Sequence, residues 1–381
     1  MKKASCQLPW LLKAQGADAL DIRYATGFGA PDPFYLLVRG TERHLYLSAL
    51  EAARAHAVCP EAHIHTRESI CAAPPPRGAP PRSFLARWLK TLGIRCVQVS
   101  PDFPIGDAIQ LQGDGLSVHM VSASPFPQRA CKRPDEIAHI RAAQRHAVSA
   151  FRLAADALRR AAPASPTSNV LHLEGRPLTV ERLKNLIEIF LHTADYDCEG
   201  LIVAAGAQAA RPHDTGHGLI RLGQPVVMDI FPRHRRTGYW GDFTRTVVRG
   251  TPSPRLVHMY RTVAQAQRLA FSLLRPGVSG DSVHRVVEDY FASAGFETRL
   301  TPPGRERGYI HSTGHGVGLD IHEMPRLARN GPPLQAGHIV TVEPGLYFPG
   351  VGGIRIEDTV LITPAGYRLL AACPRHFILP P

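Results

Sequence analysis

The sequence predicts two domains: an α/β unit over residues 1–125 and a larger α+β domain over residues 134–381, joined by a linker at 126–133. Three observations carry this reading. With 381 residues and 44% hydrophobic side chains, the chain is long for a single hydrophobic core. Pro125, Pro127 and Pro134 cluster where the residue pattern changes. Beyond them, one block of the chain echoes another, as an internal pseudo-twofold would produce.

In the first unit, Phe34–Arg39, His44–Ser48, Arg95–Ser100 and Leu116–Ser122 read as strands, being rich in Val, Leu and Tyr. Ser83–Leu92 reads as a helix. Residues 71–81 form a proline-rich loop that no helix or central strand can absorb.

The second domain opens with a long helix from Pro134. Proline suits the first helical position, and Asp135 and Glu136 favour the positive end of the dipole. Ile140, Ala147, Phe151, Ala154 and Leu158 keep the spacing of one packed face. Further helices are expected at Val180–Leu191, Pro254–Leu274 and Ser282–Ala294, the last with Asp281 or Ser282 as N-cap and Gly295 beyond its end. Strands are expected at Gly200–Ala204, Pro225–Phe231, Phe243–Val248, His338–Glu343 and Gly353–Ile362.

Composition excludes several classes. No apolar run approaches the roughly 18–20 residues of a membrane span. The opening residues MKKASCQLPWLLKAQG carry an apolar stretch broken by Gln7 and Pro9, so no secretory signal is expected. The seven cysteines are scattered and never form C-x-x-C. That argues against a disulfide framework or thiolate zinc site and suits a reducing cytoplasm. The net charge of +12 raises nucleic acid as a partner, but only six of the 44 basic residues are lysine and arginine is spread along the whole chain. A compositional bias accounts for it; neither nucleic acid nor membrane is expected as a partner.

The chemistry lies in the echo. Residues 222–229 and 334–343 each run a hydrophobic strand into a carboxylate, Asp229 and Glu343. Residues 242–248 and 357–363 each open a further strand behind one, Asp242 and Glu357. A pseudo-twofold would bring the four carboxylates together, and burying them uncompensated costs several kcal/mol each or raises their pKa values. A pair of divalent cations roughly 3.5–4 Å apart resolves the conflict and is a known arrangement for hydrolysis. One imidazole among the carboxylates, His315, biases the choice toward manganese, cobalt or zinc over calcium. Gly314, Gly316 and Gly318 let the backbone approach. No H-E-x-x-H or G-x-S-x-G motif competes.

Taken in order, Val226-Val-Met-Asp-Ile-Phe, Gly238-Tyr-Trp-Gly-Asp-Phe-Thr-Arg-Thr246, Ser312-Thr-Gly-His-Gly-Val-Gly-Leu-Asp-Ile-His-Glu323, Thr341-Val-Glu-Pro-Gly-Leu-Tyr347 and Gly353-Ile-Arg-Ile-Glu-Asp-Thr-Val360 closely resemble the pita-bread metallopeptidases. Within them the match is to the aminopeptidase P and prolidase branch. Ile22-Arg-Tyr-Ala-Thr-Gly-Phe28 resembles its creatinase-type N-terminal domain, and Lys132-Arg-Pro-Asp-Glu-Ile137 the start of its catalytic domain. The resemblance implies that Asp229 binds one metal, that His315 and Glu343 hold the other, and that Asp242 and Glu357 bridge both. It makes His213 and His322 the substrate and proton-transfer histidines and Glu343 the general base. His311, Tyr347 and Arg355 become supporting, substrate-side positions. It further implies two divalent ions, manganese first with cobalt or zinc as alternatives, and a homo-oligomer such as a dimer. The substrate is a small peptide with proline second.

One departure stands out: Asp229 and Asp242 are thirteen residues apart, wider than the family's usual spacing, with Pro232-Arg-His-Arg-Arg236 at the extended tip. That tip reads as a solvated turn or as a substrate-facing or interface feature. Aminopeptidase P-like activity is placed slightly ahead of Xaa-Pro dipeptidase activity. The dipeptidase reading rests on Arg329, at the position of a carboxylate-binding arginine in prolidases, with Arg326 as its neighbour. A relative that binds protein or RNA without catalysis, and a metal-free creatinase-type amidinohydrolase, are the alternatives; all five ligand positions being filled speaks against both. The N-terminal domain disfavours a methionine aminopeptidase.

Overall fold

The computed structural model describes residues 8–14, 19–70, 83–301, 303 and 306–380. The proline-rich loop at 71–81 lies outside them, as do residues 1–7 of the opening segment. The chain divides into two compact units, Met1–Arg129 and Ala130–Pro381.

The first unit is a six-stranded sheet of β1 (Trp10–Ala14), β2 (Phe34–Arg39), β3 (Glu42–Tyr46), β4 (His63–His65), β5 (Cys96–Val99) and β6 (Ser117–Met120), in the order β4-β3-β2-β1-β5-β6. β1, β2 and β3 pair antiparallel; β4, β5 and β6 join in parallel. Its helices are α1 (Leu20–Thr26), α2 (Ala49–Val58), α3 (Arg67–Ile70), α4 (Phe84–Thr91) and α5 (Ile105–Gly113). Ser83 caps α4 by accepting the Ala86 N–H, and Leu85, Ala86, Trp88 and Leu89 bury its inner face. β1, β4 and the helices other than α4 were not foreseen; these segments are short, and their patterns are ambiguous without neighbours.

The second unit opens with α6 (Pro134–Arg160), whose first turn is closed by the Glu136 carboxylate accepting the Arg133 N–H at 2.9 Å. A small ribbon of β7 (Ala162–Pro163), β8 (Leu171–Leu173) and β9 (Arg176–Pro177) precedes α7 (Val180–Thr193) and β10 (Tyr196–Asp197). β11 (Ile202–Ala205), β12 (Pro225–Ile230), the short β13 (Arg233–His234) and β14 (Phe243–Arg249) follow. Then come α8 (Pro254–Leu273), α9 (Gly280–Ser293), β15 (Gly314–Gly316), β16 (Glu323–Leu327), β17 (Ile339–Val342), β18 (Gly345–Phe348), β19 (Gly352–Arg355), β20 (Asp358–Thr363), β21 (Gly366–Leu369) and β22 (Ile378–Leu379).

The echo is visible in this order. α6, α7, β11, β12, β14 is matched by α8, α9, β15, β17, β20, and each set of three strands is antiparallel and adjacent. Antiparallel pairing places the end of β12 beside the start of β14, and the end of β17 beside the start of β20. Those ends carry Asp229 with Asp242, and Glu343 with Glu357. Each half has its own apolar core, under α6 and α7 in one and under α8 and α9 in the other.

Two expectations are corrected. The cap of α9 is Ser279, whose hydroxyl accepts the Ser282 N–H at 3.1 Å; Asp281 instead accepts the Asn330 N–H and pairs with Arg285. Gly353–Ile362 is not one strand. β19 ladders with β18 and β20 with β17, and between them the Glu357 N–H donates to the Thr244 carbonyl at 3.0 Å. This change of partner turns Glu357 toward β14. No helix among the described residues is long and apolar enough to cross a membrane.

Candidate metal centre

The side chains of Asp229, Asp242, His315, Glu343 and Glu357 line one cavity of about 360 Å³. Asp242, His315 and Glu357 are all buried and can offer ligand atoms within 4.8 Å of one another. His315 Nε2 stands 3.6 Å from Asp242 and 3.1 Å from Glu343. Its Nδ1 lies 3.1 Å from the Gly316 carbonyl, which places a proton there and turns Nε2 toward the carboxylates. The approach of β15 to β17 demands glycine: a Cβ on Gly314 would stand 2.0 Å from the Thr341 carbonyl oxygen.

Threonines on the two halves orient the glutamates. Thr244 donates to Glu357 at 2.7 Å, and Thr341 donates to Glu343 at 3.2 Å while accepting the His315 N–H. Two buried glutamines hold the strand ends. Gln144 on α6 bonds both the N–H and the carbonyl of Asp242 at 2.8 Å. Gln267 on α8 donates to the carbonyls of Val342 and Ile356. Sequence reasoning missed these residues, though a glutamine within the apolar face of α6 was a usable signal.

The electrostatics of the cavity are those of crowded carboxylates. Burial, then the charges of neighbouring carboxylates, push the Asp242 and Glu357 carboxyls well above the usual range. Burial opposes charge on His315 and Glu343 as well, but their mutual hydrogen bond prevails, taking His315 up to about 9 and Glu343 down to about 2. Arg355 donates to Asp229 at 2.6 Å, yet the other Asp229 oxygen is buried without a hydrogen-bond partner. Four crowded carboxylates, one with an orphaned oxygen, beside a single imidazole ligand fit divalent cations.

The remaining residues fall in two sets. His213, His311, His322, Arg326 and Arg355 line the same cavity, with Ile202, Pro212, Phe231 and Ile321 as its apolar wall. The His322 ring meets that of His315 edge-on at 4.3 Å. Burial first of all holds the His311 and His322 imidazoles below the ordinary histidine value. Tyr347 is not in the lining: its buried hydroxyl accepts from Arg355 at 2.7 Å and meets His311 Nε2 at 2.9 Å. Arg329 is also outside the lining, its side chain 73% exposed and paired with Glu288 at 2.9 Å. The extended tip is pinned away from the cavity. β13 pairs with β10, and Arg235 bonds Asp197 at 2.8 Å.

Residues 138–364, more than half of the chain, match metallopeptidase family M24, and the chain belongs to that family. An uncharacterized peptidase, YqhT, of Bacillus subtilis is 37% identical over 199 residues, covering 51% of this chain and 53% of its own. The Xaa-Pro dipeptidase of Pyrococcus horikoshii is 35% identical over 179 residues, 46% of this chain and 48% of its own. The chain thus spans about half the length of the curated relatives it matches. Among solved structures, an Xaa-Pro dipeptidase from Bacillus anthracis superposes with a TM-score of 0.78 at 25% identity, over 97% of this chain and 95% of that one. The X-Pro aminopeptidase from Thermotoga maritima shares the fold, with a TM-score of 0.77 at 22% identity over 97% of each chain.

Proposed function

We propose that this chain is a dinuclear metal-dependent exopeptidase that hydrolyses Xaa-Pro bonds. The observation that carries the reading is the cavity that gathers four carboxylates around His315. Asp229, Asp242, His315, Glu343 and Glu357 would hold two divalent ions, manganese first. Bound cations supply Lewis acidity, polarising the scissile carbonyl and making water nucleophilic near neutral pH. Glu343 serves as the base that takes the proton from water. His213 and His322, at the open side of the cavity, hold the developing oxyanion and return a proton to the leaving amine. The wall of Ile202, Pro212, Phe231 and Ile321 suits a pyrrolidine ring.

Between the two exopeptidases, Arg326 supports the dipeptidase. Arg326 lines the cavity and its guanidinium makes no hydrogen bond or ion pair among the described residues, so it is available to a free carboxylate. Arg329 is neutralised by Glu288. The Xaa-Pro dipeptidases among the relatives agree with this order. The test is a substrate panel on stripped protein reloaded with Mn²⁺, Co²⁺ or Zn²⁺. Xaa-Pro dipeptides should be cleaved faster than Xaa-Pro-Yaa tripeptides, and non-proline controls hardly at all. Turnover in exhaustively stripped protein would refute the metal reading, and a clear tripeptide preference the dipeptidase reading.

A further inference from the structure

Three histidines gather on one edge of the first unit's sheet. β3 and β4 pair in parallel, with His44 opposite His63 and Tyr46 opposite His65. Side chains alternate along a strand, so His44, His63 and His65 share one face of the sheet. There His44 Nδ1 stands 3.2 Å from His65 Nε2, and the His63 ring stacks on His44 at 4.6 Å. Two imidazole nitrogens bound to one tetrahedral zinc, each at about 2.0–2.1 Å, stand about 3.3–3.4 Å apart. The observed separation matches that spacing, though the two nitrogens now share a hydrogen bond and the rings must turn to aim both lone pairs at one ion.

The other His44 nitrogen faces the Glu42 carboxylate at 3.3 Å, and the same oxygen accepts from Arg39 at 2.7 Å. A carboxylate behind an imidazole is the usual support of a metal-bound histidine, fixing its ring and tautomer. His44 is buried, and His65 rests near Trp88, with ring centroids 5.8 Å apart. His63 is exposed, and β4 is the edge strand of its sheet, so solvent and ions reach this face.

We propose that His44, His63 and His65 form a second, all-imidazole site for a late divalent transition ion such as zinc or nickel. The exposed His63 ring turns to add the third nitrogen, and water completes the sphere. An all-nitrogen donor set favours such ions over manganese or magnesium, whereas the carboxylate-rich centre accepts manganese. The proposal does not depend on the peptidase reading.

The test counts bound Ni²⁺ after the stripped whole chain is dialysed against the metal alone. Wild type should retain one more equivalent than His63→Asn or His65→Asn, and Glu42→Gln should weaken that equivalent about 10- to 100-fold. Peptidase activity should be unchanged in all three variants, while Asp242→Asn should keep the extra equivalent. If His65→Asn folds poorly, His63→Asn decides, because its side chain is exposed. Equal Ni²⁺ binding by wild type and His63→Asn would overturn the site and leave the 3.2 Å contact as a hydrogen bond within the sheet.

Discussion

Replacing Gln144 with leucine should cripple the metal centre from a helix that supplies none of its candidate ligands. Gln144 is wholly buried on α6, and its amide takes both hydrogen bonds of the Asp242 backbone, each at 2.8 Å. Leucine fills a similar volume and returns neither bond. The Asp242 carbonyl keeps Thr359 as a donor at 2.7 Å, but its N–H is left buried and unpaired. Stranding that group costs about 1–3 kcal/mol and losing the second bond about 0.5–1.5, so about 1.5–4.5 kcal/mol together. For a unit of this size, that lowers the midpoint of its thermal transition by about 3–18 °C. Asp242 also loses its fixed position, so metal affinity should fall with stability. Gln144→Glu is a sharper version: it keeps an acceptor for the N–H but brings a fifth carboxylate toward an acidic cavity. Differential scanning calorimetry of the stripped and metal-loaded chain reads the first effect, and a metal titration the second. A Gln144→Leu midpoint within about 2 °C of wild type, with unchanged metal affinity, would refute the reasoning.

Asp242→Asn or Glu357→Gln should abolish hydrolysis and reduce bound metal, because an amide cannot offset a dication; atomic emission and a peptide assay on the same samples check this. Arg326→Ala should lower kcat/KM on Xaa-Pro dipeptides by the worth of one charge-assisted contact, about 1.5–3 kcal/mol or roughly 10- to 150-fold, and spare tripeptides. Arg329→Ala should change neither, and the reverse pattern would return the carboxylate to Arg329. Metal loading should raise the thermal midpoint more at pH 8 than at pH 5. In stripped protein the raised Asp242 and Glu357 carboxyls contribute stability that fades as pH climbs from about 4 toward their folded values. His315, raised to about 9, adds a loss between about pH 6.5 and 9. Cations remove both penalties, so equal increments at the two pH values would contradict the assignment.

Much of the centre was legible along the chain. Each of the four carboxylates sits at a strand end beside an apolar run, and the same pattern occurs twice, so Asp229, Asp242, Glu343 and Glu357 could be named together as candidate ligands before any contact was known. The long helices were equally plain, because α6 and α8 carry periodic apolar faces over many turns. Short strands were less so. β4 has three residues, and nothing in His63-Ile-His65 marks it until β3 lies beside it.

The sequence by itself therefore set which side chains are candidate ligands: strand-end position, a property of the chain alone, picks out the four carboxylates, and the family resemblance adds the role of His315. It did not determine which way a loop arginine faces. Arg326 and Arg329 lie three residues apart in similar surroundings, and only the tertiary position of Glu288 on α9 decides which guanidinium is neutralised. Nor could it show that β19 and β20 are separate strands. The break at Ile356–Glu357 exists because the Glu357 N–H finds Thr244 on β14, 113 residues earlier in the chain. Charge behaves the same way: four carboxylates are ordinary until folding places them in one cavity, where burial and mutual repulsion make a cation the favourable partner.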